Sequence, residues 1–71
     1  MSQVLATRYY RREGSDKKLL AQVADHVPHK IGDWVGIHNH GLLEVCEISC
    51  HVSRIDNDFE RNVVVWIVFV R

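Results

Sequence analysis

The sequence holds one proline, Pro28, two cysteines, Cys46 and Cys50, and equal numbers of acidic and basic side chains. Two cysteines cannot build the disulfide framework that many very small secreted domains rely on. A formal charge of zero with neutral histidines gives no overall attraction to nucleic acid or to a membrane. It also leaves little repulsion to oppose self-association. No apolar run approaches the roughly 20 residues that a membrane-spanning helix needs. No basic, then apolar, then small-residue leader opens the chain, so a reducing cytoplasm is the expected compartment. There are no internal repeats, no low-complexity tract and no Gly-rich phosphate loop.

What is present is one domain of 71 residues. A chain this short buries only about 60% of the surface it exposes when unfolded. Its stability is therefore small unless a metal, a disulfide or a partner chain adds to it. The most decided stretch is the C-terminal one, where eight apolar residues run from Val63 to Val70. Most are β-branched or aromatic, which favours a pleated strand. Alternation puts Val63, Val65, Ile67 and Phe69 on one face and Val64, Trp66, Val68 and Val70 on the other. Both faces are apolar, so both need cover.

Upstream, Val4 to Arg12 reads as a strand, broken by Glu13-Gly14. Ser15 can cap a helix from Asp16 to about His26, because Leu19, Leu20, Val23 and Val27 recur at helical spacing. Pro28 stops that helix, since it lacks an N–H and restricts Val27. Lys30 to Ile37 reads as a second strand and His38-Asn39-His40-Gly41 as a hairpin turn. Leu42 to Arg54 reads as a third, with Leu42, Cys46, Ile48, Cys50 and Val52 on its apolar parity and room for a bulge at Glu44. Asp56-Asn57-Asp58 marks the loop before the last strand.

These elements predict an α+β domain, β-α-β-β-β: a four-stranded, mostly antiparallel sheet with one helix packed on one face. The first strand is expected to lie parallel beside the last, which makes the C-terminal strand central. The alternative is a small SH3-like β-barrel with one helix. The strand entrance Gly32-Asp33-x-Val35 loosely resembles those of small SH3-like barrels, over four residues that assign no family. One helix covers one sheet face only, and a homodimer is the expected cover for the other.

The chemistry-bearing residues point away from catalysis. Zinc needs four N or S ligands around one point. Cys46 and Cys50 on a strand stand roughly 13 Å apart, and His38 and His40, the remaining metal candidates, lack further ligands. Cys50 and His51 are strand neighbours and face opposite ways, so they form no nucleophile pair. His38-Asn39-His40 does not supply a metal nuclease frame by its letters alone. No enzyme and no cofactor are expected.

Two binding functions compete. The first is a protein-binding module, a modulator or inhibitor of a larger host protein, working as a homodimer; phage and other mobile elements encode such chains, by analogy. Its expected interface is Trp34, Val64, Trp66, Val68 and Val70. The second is nucleic-acid binding through Arg8, Tyr9, Tyr10, Arg11 and Arg12 with Lys17 and Lys18, cations for phosphates and rings for unpaired bases. Charge is split along the chain: residues 1–30 hold six Lys or Arg against three Asp or Glu, and residues 31–71 hold the reverse.

Overall fold

A computed structural model describes the backbone of residues 2–55 and 58–71 and the side chains of 4–53 and 62–71. The described residues form five strands: β1 (Ser2–Glu13), β2 (Asp16–Val23), β3 (Trp34–Ile37), β4 (Gly41–Ile55) and β5 (Asp58–Val70). They form one sheet in the order β2-β1-β5-β4-β3, curled into a half-barrel. β1 runs parallel to β5, and every other neighbouring pair is antiparallel. The apolar β5 is thus the middle strand, with β1 beside it. The expected Asp56-Asn57-Asp58 loop lies outside the described residues except for Asp58.

The α+β expectation is overturned. Among the described residues there is no helix, and the sheet is mixed and five-stranded rather than four-stranded and antiparallel. The SH3-like alternative agrees in its curled sheet but not in its helix. The segment expected as a helix is β2, and the local reason lies in its entrance. Glu13 pairs with Asp16, leaving Gly14-Ser15 as a two-residue hairpin loop with Gly14 at φ 62°. A glycine with positive φ at the first loop position matches the twist of the flanking strands. The competing helix would have been about three turns long, a length at which helices gain little without packing. As a strand, the segment also pairs the edge of β1 that β5 leaves open.

Two bulges re-phase the sheet. Between β1 and β2, Tyr9 pairs with Ala21 and Tyr10 with Leu19, so Leu20 is an extra residue. Leu20 and Ala21, though adjacent, both pack against the core. Between β4 and β5, Val45 pairs with Val70 and Glu47 with Phe69, so Cys46 is extra. The bulge falls there and not at Glu44. Leu43 and Val45, which break the expected parity of β4, are therefore its buried residues, while Leu42 is exposed. The hairpin at 38–41 forms as expected, with Asn39 at φ 67° and the His40 N–H donating to the Ile37 carbonyl at 2.9 Å.

The core lies on the concave face: Tyr9, Ile37, Leu43, Val45, Val68 and Val70. Its cover is irregular backbone in place of the expected helix. β2 and β3 are the two edges of the sheet, so residues 24–33 cross the concave face from one edge to the other. The Thr7 hydroxyl, 0% exposed, holds this strap at two points. It donates to the Asp25 carbonyl at 2.7 Å and accepts from the Val27 N–H at 3.0 Å. Between those two points, the His26 ring stacks on Trp66 with centroids 3.9 Å apart. The strap then docks on β4, where the Gly32 N–H donates to the Val45 carbonyl and the Val45 N–H to the Asp33 carbonyl, each at 2.8 Å.

Tyr9 closes the strap from below. Its hydroxyl and His29 Nε2 are hydrogen-bonded at 2.6 Å, and the two rings meet edge to face. Burial disfavours the phenolate and raises the Tyr9 pKa above its ordinary 10.0. The unfolded chain releases this proton first, so the folded state binds more protons above about pH 10. Stability is then indifferent to this group below about pH 10 and falls as pH rises through the folded value. Urea midpoints between about pH 8 and 11 should show a steeper alkaline decline in wild type than in Tyr9→Phe. Parallel declines would remove Tyr9 from the cause.

Candidate interaction surfaces

Strand alternation sorts the expected site residues onto different surfaces. The interface set predicted from sequence does not form one patch. Val68 and Val70 are 1% and 2% exposed and belong to the core, so they are not available to a partner in this fold. Val64 and Trp66 lie on the concave face, half-buried. Trp34 pairs with Glu44 at the edge of the sheet, on the convex side, and is 66% exposed. Leu42, opposite Gly36 in the same hairpin, is likewise exposed and on the same side.

The strap covers only part of the concave face. Beyond Trp66, the register aligns Leu5 with Val64 and Val64 with Val52 on that face. Val52 is 66% exposed, and Cys50, paired with Trp66, is exposed too. Across β1, Val23 pairs with Thr7 and is also exposed. Among the described residues this end of the half-barrel is uncovered and apolar, and sequence reasoning found Val64 and Trp66 but neither Leu5 nor Val52. Their signal was their parity, which only the strand register converts into a shared face.

The basic-aromatic set is also divided. Tyr9 points into the core. Arg11 lies 4.0 Å from Glu13. Lys18 pairs with Arg11 in register. Arg8, Tyr10, Arg12 and Lys17 share the convex face. There Lys17 Nζ sits 4.7 Å from the Tyr10 ring centroid, and the Arg12 guanidinium lies 4.2 Å above the Phe69 ring. The Tyr10 and Phe69 rings are 5.8 Å apart and tilted by 34°. Arg12 also donates to Glu47 Oε2 at 2.6 Å, with both side chains largely exposed. Such an exposed pair contributes about 0–1 kcal/mol.

His38 is exposed and His40 half-buried in the β3–β4 turn. Among the described residues no three His, Cys, Asp or Glu side chains gather as a metal site. Both cysteines are free; the Cys46 thiol donates to the Phe69 carbonyl at 3.3 Å. Among the described residues no helix is long and apolar enough to cross a membrane. No pocket occurs among them either.

The class that this geometry defines is a small all-β module with a mixed five-stranded sheet and a strapped concave face. The chain matches no protein-family profile, no curated protein and no solved structure.

Proposed function

We propose that this chain is a protein-binding module whose first partner is a second copy of itself, joined through the open end of the concave face. The observation that carries the reading is the apolar surface of Leu5, Val52 and Val64, which lies beyond Trp66, where the strap's His26 stacks. An exposed Val52 beside half-buried Val64 and Leu5 gains stability when another surface removes this apolar area from water. Charge supports a like partner. The net charge is zero. A neutral chain has little repulsion to oppose the approach of a second copy.

Modulation of a larger host protein would use the same surface, with the dimer as its resting form. The test is mass in solution. Light scattering and sedimentation velocity over a concentration series should give twice the chain mass at the upper end, dissociating on dilution. A single-chain mass at the highest attainable concentration would refute the homodimer.

A further inference from the structure

We infer that the convex face carries a binding surface for single-stranded nucleic acid, built from Arg8, Tyr10, Arg12 and Lys17. This surface lies on the opposite side of the sheet from the self-association surface and does not depend on it. Alternation along β1 sets Arg8, Tyr10 and Arg12 in a row. β2 adds Lys17, whose register partner is Arg12, and β5 adds Phe69, whose partner is Tyr10. A tyrosine half-buried on a sheet face, with a cation on each side, is the pattern that stacks an unpaired base while the cations meet its phosphates. Duplex bases are already stacked and offer no face to such a ring.

The carboxylates nearby bear on how this row meets an anion. Glu47 holds Arg12 at 2.6 Å and Glu13 lies 4.0 Å from Arg11. The Glu47 pair is exposed and weak, so phosphate can replace Glu47 on Arg12 at small cost. Glu47 then acts as an internal competitor that keeps the surface from binding every polyanion tightly. Zero net charge does not oppose this reading, because a local cation row acts at distances below the screening length.

The test uses the full chain and fluorescence anisotropy with labelled oligothymidylate and oligouridylate of about 12 nucleotides. Three phosphate contacts predict a slope of about −2 in log affinity against log salt. Lys17→Glu, at an exposed site, should weaken binding roughly tenfold at low salt. Tyr10→Leu keeps the apolar contact with Phe69 but removes the stacking ring, and should also weaken it roughly tenfold. Glu47→Gln frees Arg12 and should tighten binding several-fold, a gain that misfolding cannot imitate. Val52→Asp, on the other face, should leave affinity per chain unchanged. Whichever oligonucleotide binds tighter assigns DNA or RNA. The inference is overturned if neither oligonucleotide binds at low salt. Equal competition by inorganic polyphosphate with no effect of Tyr10→Leu, or a preference for duplex, overturns it as well.

Discussion

Val68→Asp is expected to abolish the folded state, whereas Val52→Asp is expected to leave it intact and prevent self-association. Both valines lie on the concave face, Val68 on β5 opposite Ile48 and Val52 on β4 opposite Val64. The chemistry introduced is the same, and only the surroundings differ. Val68 is 1% exposed, packed with Tyr9, Val45 and Val70 under the strap. A carboxylate there enters an apolar cluster in which the Tyr9 hydroxyl is already paired with His29, and an unpaired buried charge costs several kcal/mol even after the group takes up a proton. A domain of this length has about 4–11 kcal/mol in total. At Val52 the carboxylate remains in water, and the loss is limited to strand preference, about 1 kcal/mol. Circular dichroism, tryptophan fluorescence and light scattering read both outcomes. A folded Val68→Asp would displace β5 from the centre of the sheet. A dimeric Val52→Asp would move the interface elsewhere, with the exposed Trp34 and Leu42 hairpin as the next surface to alter.

Thr7→Val should lower the melting temperature by about 10–20 °C and loosen the strap, although the side chains are nearly the same shape. The Thr7 hydroxyl serves one carbonyl and one N–H of the strap and is itself fully buried. Valine leaves the Asp25 carbonyl and the Val27 N–H beside a methyl group. Each group left unsatisfied costs about 1–3 kcal/mol, and for a domain of this size 1 kcal/mol moves the midpoint by about 4–8 °C. Part of the loss is recovered if the strap lifts and both groups reach water. That lifting has its own signature: faster hydrogen exchange at Val27, and emission from Trp66 shifted to the red as His26 leaves its ring. Thr7→Ser, which keeps the hydroxyl, should restore most of the exchange protection. Unchanged protection in Thr7→Val would mean that the docking of Gly32 and Asp33 on Val45 holds the strap unaided.

Much of the strand content was readable from composition. β-branched and aromatic residues crowd Val63–Val70, and a stretch apolar on both faces has to sit inside a sheet, as β5 does. The hairpin at Asn39 and the parallel neighbour of β5 were legible for similar reasons: turn chemistry in one case, exclusion from the edges in the other. The segment 16–23 was misread because Leu19, Leu20 and Val23 satisfy a helical period as well as a bulged strand. Gly14-Ser15, a Gly-Ser dipeptide set between the charged ends of two strand-like stretches, was the available signal for a hairpin. The basic-aromatic row of β1 was visible as residue types, but its division into an inward Tyr9 and an outward Tyr10 needed the strand's facing.

By itself, the sequence determined the local preferences: where the chain extends, where it turns, and that its tail must be covered on both sides. Only the tertiary structure decided which residues supply the cover. Strand order placed β2 and β3 at opposite edges, and a connection between opposite edges has to cross a face, so ten residues of irregular backbone became the lid. The bulge at Cys46 then set which parity of β4 points inward, and the bulge at Leu20 turned two adjacent residues toward the core. Local energies differ little between those choices, and the packing of all five strands at once selects among them.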